Sequence, residues 1–348
     1  MQNNLVILSN ERFYLKENSY YCDNIAEKTL PDGLDKIFTT EVIGRSTNVE
    51  RSHKLNFKKI ILFKYLIFYL LEVLKKIKEK KNKFLILSIS PYTFFATLLF
   101  VFSNQKPTIY LRSDGYQEYK SILGFYGPFI YGFMFKTASK VASFISCRKY
   151  ILRNNQGEIV SPSELTNNWI VKNNPVNLEK IKLLYVGRLK IEKGIFSLIK
   201  IIQGKEEKIS LTIVGATKKS IKKINQKNIY VHEIENYENN LIKFYDDHNI
   251  FVLPSYTEGH PMVLLEALAR LRPVIIFREI DHIIENKKGI FIAERNKKSF
   301  FEKIDYIKNN YENIQNEMKL NHLPTREMFL KEMGNFINQI SQITIKKS

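Results

Sequence analysis

Between Lys182 and Ala293 short apolar runs recur at Lys182–Gly187, Ile209–Gly215, Asn228–His232, Asn249–Pro254, Pro273–Phe277 and Gly289–Ala293. Runs this short read as strands buried on both faces. Segments of helical period lie between them; over Lys193–Gln203, Ile195, Leu198, Ile199 and Ile202 make one apolar stripe. Strands alternating with helices specify a parallel, doubly wound sheet. Such sheets bind ligands beyond the strand C-terminal ends, in the loops that lead into helices.

Two of these loops carry chemistry. Tyr185–Gly194 reads YVGRLKIEKG, and Pro254–Glu266 reads PSYTEGHPMVLLE. Each runs from a strand through a charged, Gly-containing loop into a helix, whose N-terminus offers unpaired N–H groups and about half a positive charge. Arg188 and Lys193 flank the first turn, so two cations could close on one pyrophosphate. Pro261 suits the first helical turn, which puts Glu258 in the loop and Glu266 inside the helix. Ionised carboxylates accept hydrogen bonds from sugar hydroxyls. Solvated loop cations and an exposed helical Glu are the plainer readings of each residue taken alone.

Order and spacing of the two motifs resemble the retaining glycosyltransferase family 4, whose C-terminal domain carries GRL-x-x-EKG and EG-x-P-x-x-x-x-E. The resemblance spans about Ile159 to Ile292. It implies an α/β GT-B fold: two Rossmann-like domains facing across a cleft, with a C-terminal helix crossing back to the first. It also implies a nucleotide-diphosphate sugar as donor, with no cofactor and no metal; the chain contains no Asp-x-Asp motif. Arg188 and Lys193 would neutralise the leaving diphosphate, Glu258 would hold a donor-sugar hydroxyl, and Glu266 the ribose. Gly187, Gly259, His260 and the N–H groups of Met262 and Val263 would complete the donor pocket.

The first half departs from the family pattern. No glycine occurs in Leu8–Ser19, where relatives have a Gly-rich loop, and TIYLRSDGYQEY (Thr108–Tyr119) stands where relatives place a histidine. Arg112 or Asp114 is a candidate replacement, Asp114 as base or sugar ligand; a turn-forming Ser-Asp-Gly is the plainer reading. FREIDHII (Phe277–Ile284) replaces the usual Gly-Gly after the Pro273 strand.

With 348 residues, 44% of them apolar, the chain has enough material for two cores. The Asn-Pro signal in Asn173–Glu179 divides 1–174 from 175–324, and the helical pattern of Thr325–Ile343 sets off 325–348, which the resemblance makes a crossover helix and tail. Two cysteines, Cys22 and Cys147, argue against a disulfide framework or a Cys-rich zinc site. MQNNLVILSN has no signal-peptide pattern, so a cytoplasmic enzyme is expected.

Part of the net charge of +19 is concentrated in Lys54–Lys83, with ten Lys against two Glu. This stretch reads as one helix with an apolar middle and basic ends. It would lie on an anionic membrane surface, or pack in the domain with a solvated lysine tail. No nucleic-acid motif accompanies the charge. Phe84–Ser103 has no charged residue, but Ser90-Pro91 punctuates it as strand, N-cap and helix rather than a membrane span. Ile122–Phe135 is apolar and aromatic, and reads as membrane-facing, acceptor-facing or core. The function expected is retaining transfer of a sugar to a glycan or lipid-linked acceptor in envelope polysaccharide or lipopolysaccharide assembly. A non-catalytic nucleotide-sugar scaffold, or an epimerase or phosphorylase of the same fold, are the alternatives.

Overall fold

The structure, a computed structural model, describes residues 4–79, 81–205, 207–215, 227–233 and 237–345, and only the backbone of 237–239 and 340–345. Lys80 of the lysine-rich stretch and residues 346–348 of the tail lie outside these. Two compact units form, Met1–Pro162 with Glu327–Ser348, and Ser163–Arg326.

In the first unit the strands are β1 (Asn4–Lys16), β2 (Ser19–Cys22), β3 (Thr39–Thr47), β4 (His53–Lys54), β5 (Ile60–Phe63), β6 (Asn82–Leu87), β7 (Thr108–Leu111), β8 (Ser143–Ser146) and β9 (Gly157–Ile159). Their parallel core runs β5-β3-β1-β6-β7-β8-β9, while β2 and β4 extend β1 as an antiparallel flap. Alternation along each strand assigns the two faces. Leu5, Ile7, Leu85 and Leu87 pack under α1 (Ile25–Leu34), joined there by Phe329, Met333 and Ile337 of the last helix, Arg326–Ile345. Val6, Leu8, Phe84 and Ile86 pack under α2 (Leu66–Lys78), α3 (Pro91–Leu99) and, beyond α4 (Gly115–Leu123), α5 (Gly127–Ala138).

Local chemistry accounts for the boundaries. Ser90 and Thr93 form a capping box ahead of Pro91, so the uncharged stretch from Phe84 divides into β6 and α3. Lys54–Lys83 is not one helix. Ile60–Phe63 adds to the sheet beside β3, with Phe57 and Ile60 buried, and helical periodicity begins only at Leu66. No described helix is long and apolar enough to cross a membrane. The glycine-free Leu8–Ser19 needs no glycine, because β1 continues through it with a register shift between Leu8 and Arg12. Its hairpin to β2 turns at Glu17 and Asn18, both at positive φ.

The second unit holds β10 (Ile181–Val186), β11 (Ile209–Val214), β12 (Ile229–His232), β13 (Ile250–Leu253), β14 (Val274–Phe277) and β15 (Ile290–Ala293), all parallel. Around them pack α6 (Ile195–Ile202), α7 (Tyr237–Asp246), α8 (Met262–Ala269), α9 (Lys297–Asn309) and α10 (Tyr311–Met318); the last helix of the chain is therefore α11. Each strand falls within a residue or two of its expected place. Compactness divides the chain at Pro162/Ser163, ahead of the 174/175 read from Asn-Pro. The reason is that Leu165 and Trp169 are buried in the second core, with Trp169 edge-on to Tyr245 at 5.6 Å.

Candidate functional site

Strand order in the second unit is β12-β11-β10-β13-β14-β15. The chain builds outward from β10 in one direction, then returns to its other side at β13. The loops that follow β10 and β13 therefore leave the sheet at the topological switch point, where open α/β sheets bind their ligands. They are the GRLKIEKG and PSYTEGHP loops.

Backbone contacts lock the two loops together. The Tyr256 N–H donates to the Glu192 carbonyl at 2.9 Å. Gly194, at φ +65°, turns the chain from a short 3-10 turn (Ile191–Lys193) into α6. A Cβ there would lie 1.8 Å from the Pro254 carbonyl oxygen, so this position needs glycine for both φ and space. Arg295 holds the second loop from below: Nη1 donates to the Pro254 carbonyl at 2.9 Å and Nη2 to that of Ser255 at 3.2 Å. Its guanidinium stacks 4.0 Å from the Tyr256 ring centroid and 4.3 Å from that of Phe277. Its Nε bonds Glu279 at 2.7 Å, which holds that carboxyl below the usual range.

Onto this frame the two motifs bring opposite charges together. Lys193 Nζ lies 2.7 Å from Glu258 Oε1, which also accepts from Ser255 Oγ at 2.6 Å. The His282 ring donates from Nε2 to the Glu258 carbonyl at 2.8 Å, so the segment that replaces the Gly-Gly reaches the same loop. Arg188 is exposed at the other end of the first loop. Its carbonyl accepts from the buried Tyr185 hydroxyl at 2.9 Å; burial, with Glu258 adding to it, pushes that phenol's pKa up. Gly187, φ +154°, lies against the same ring.

Glu266 is 2% exposed, not a solvated helix residue, and its Oε2 accepts from the Tyr245 hydroxyl at 2.9 Å. The same hydroxyl lies 3.2 Å from the Val263 carbonyl, so its one hydrogen is shared between the two acceptors and ties the first turn of α8 to α7. Pro261 is the N-cap of α8 and no side chain caps it, so the N–H groups of Met262 and Val263 open that helix. Gly259 and His260 are partly exposed in the loop ahead of it.

Arg112 and Asp114 belong to the first unit, at the end of β7. Asp114 caps α4, accepting from the Tyr116 N–H at 3.0 Å, and receives Arg153 Nη2 at 3.2 and 3.0 Å. These bonds engage both carboxylate oxygens. Arg112 instead leans on Glu27 in the first turn of α1, Nη2 to Oε1 at 3.3 Å, and its Nε approaches Ser88 Oγ at 3.4 Å. Burial raises the Glu27 carboxyl's pKa, against the pull of Arg112. The first turn of α1 thus already holds a carboxyl group. Cys22 and Cys147 are free and buried, their thiols pushed by burial up to about 12 and about 11.

Sequence reasoning missed Ser255, Tyr245, His282 and Arg295. Ser255 and His282 lie within PSYTEGHP and FREIDHII, but Tyr245 and Arg295 reach the site from α7 and from beyond β15, with no local motif to mark them.

Residues 168–322 match the family model of the glycosyl transferases group 1. An uncharacterised glycosyltransferase of Haemophilus influenzae is 28% identical over 176 residues, which is 46% of this chain and 48% of that protein. The capsular polysaccharide biosynthesis glycosyltransferase CapM of Staphylococcus aureus is 33% identical over 140 residues, 36% of each chain. The chain thus spans half or less of the curated relatives it matches. Sucrose-phosphate synthase from Thermosynechococcus elongatus superimposes with a TM-score of 0.68 over 98% of this chain and 100% of its own, at 16% identity. The fold is GT-B.

Proposed function

We propose that this chain, with its group 1 glycosyltransferase domain at residues 168–322, is a retaining transferase that moves a sugar from a nucleotide-diphosphate donor. The acceptor is a glycan or lipid-linked glycan in cell-envelope polysaccharide assembly; CapM, in capsular polysaccharide biosynthesis, is the relative that supports this. The enzyme works without a metal, in the cytoplasm, at the inner face of the membrane that carries such acceptors.

The observation behind the reading is the Lys193–Glu258 pair at the switch point. Lys193 and Arg188 receive the diphosphate, and the N–H groups of Met262 and Val263 add a helix N-terminus to them. As the bond from the anomeric carbon to the diphosphate breaks, negative charge grows on the departing phosphate, and fixed cations there lower the barrier. Glu258 accepts from a hydroxyl of the transferred sugar, and Glu266, oriented by Tyr245, from the ribose. The acceptor hydroxyl attacks from the face that the diphosphate leaves, which keeps the anomeric configuration.

Thermal unfolding against a panel of nucleotides and nucleotide sugars tests the donor site, since a ligand at a hundred times its Kd adds about 2.7 kcal/mol. One nucleotide class should raise the Tm of wild type and not of Lys193→Ala or Glu266→Ala. With that donor, transfer or slow hydrolysis marks a transferase, donor binding without turnover a scaffold, and epimerisation without an acceptor an epimerase.

A further inference from the structure

The helices on one face of the first unit's sheet carry apolar side chains on both of their sides. In α2, Tyr69, Val73 and Ile77 are buried on the sheet, while Ile67, Phe68 and Leu71 point outward and are exposed. α3 buries Phe94 and exposes Phe95. From the end of α4 into α5, Tyr131, Met134 and Phe135 are buried, while Phe125, Phe129 and Phe133 are 76%, 66% and 68% exposed. α2 packs on α3, and α3 on α5, so these outward residues share one surface. More than half of the exposed large apolar side chains among the described residues fall between Tyr65 and Phe133. Core packing does not require them, and contiguous exposed patches of this kind mark a surface that something else covers.

Charge identifies what covers it. The same helices end in cations: Lys75 and Lys78 close α2, Lys120 closes α4, and Lys136 closes α5. Aromatic rings flanked by lysines are the composition of a surface that rests at the boundary between lipid headgroups and acyl chains. A second copy of the chain is a poor occupant, because a two-fold contact would set this basic rim against itself. We propose that the outer face of α2, α3 and the α4–α5 hairpin docks on an anionic lipid bilayer. The rings of Phe125, Phe129 and Phe133 enter the interface, and the lysines meet headgroup phosphates. This places the contact on an aromatic helix layer rather than on the basic stretch Lys54–Lys83 alone.

The test is co-sedimentation of the full chain with vesicles of phosphatidylcholine, with and without phosphatidylglycerol. Wild type should pellet with the anionic vesicles and be released by salt. Phe125→Ser/Phe129→Ser should bind about tenfold more weakly or worse, and Lys120→Glu/Lys136→Glu should lose the preference for phosphatidylglycerol. Wild type left in the supernatant with both vesicles overturns the proposal, as does undiminished binding by the double Ser variant. A dimer in analytical ultracentrifugation that the double Ser variant dissolves also overturns it, since the face would then belong to a second copy. The melting-temperature response to nucleotides is read on the same variants. It should match wild type, so a failure of the donor site and a failure of the membrane face are seen separately.

Discussion

The carbonyl oxygen of Pro254 lies 1.8 Å from where a Cβ on Gly194 would stand. The last residue of the first motif is thus packed on the first residue of the second, and the backbone between adjacent strands has no slack. Gly194→Ala combines a strained left-handed φ with a clash against backbone. It should cost about 2 kcal/mol or more in a urea titration, and abolish the nucleotide-dependent rise in Tm. Gly259→Ala is the control: nothing lies within 4 Å of its Cβ position. It should shift stability by no more than about 0.5 kcal/mol.

Lys193 and Glu258 form an ion pair with side chains 25% and 9% exposed. Removing the lysine strands a carboxylate that keeps only Ser255 of its two partners among the described residues. Lys193→Met should cost about 1–3 kcal/mol, and lower kcat about a hundredfold or more because the leaving diphosphate loses a cation. The double variant Lys193→Met/Glu258→Gln should recover most of the stability and none of the activity. A full double-mutant cycle measures both quantities.

Glu266 is positioned by Tyr245, so Tyr245→Phe should raise the donor KM several-fold while kcat changes little. Glu266→Ala should abolish donor binding. Equal losses of kcat in both variants would contradict the assignment of Glu266 to ribose. Asp114→Asn tests the other unit: the amide oxygen keeps the cap of α4 while the ion pair with Arg153 is lost, for about 1 kcal/mol. It should leave transfer within a few-fold of wild type.

The second unit could be read from its residues because local signals there agree with the global fold. Six apolar runs became six strands, and GRLKIEKG and EGHP fell on the two loops that the strand order brings together. The signals failed where a decision depends on a distant partner. Ile60–Phe63 has the apolar character of the helix that follows it, and only pairing with β3 makes it a strand. Leu8–Ser19 stands where relatives have a Gly-rich loop, whereas pairing with β2 draws it into a hairpin. Glu266 has the spacing of an exposed helix residue, yet it is buried and bonded to Tyr245, 21 residues away. Arg295 carries no motif because its work is done on backbone carbonyls, which any sequence supplies.

His248 gives the second unit a pH dependence of its own. The ring is 8% exposed, between β11 and α7. Nδ1 donates to the Phe244 carbonyl at 2.6 Å, so the neutral tautomer accepts at Nε2 from the Thr212 hydroxyl, also at 2.6 Å. Burial lowers its pKa from the ordinary 6.5, against the pull of the Phe244 carbonyl. The unfolded chain therefore binds a proton near pH 6.5 that the folded chain still refuses. The unfolded state holds more protons in that window, so stability falls as pH drops from 6.5 to the folded pKa, and is unaffected by this residue above 6.5. His248→Gln keeps a donor and an acceptor but cannot charge. Carboxylates titrate in both proteins, so the quantity to follow is the difference in unfolding free energy, wild type minus variant. It should be constant above pH 6.5 and shrink steadily below it. A difference that stays flat through this range, or grows as the solution is acidified, would show that the buried ring accepts its proton at least as readily folded as unfolded.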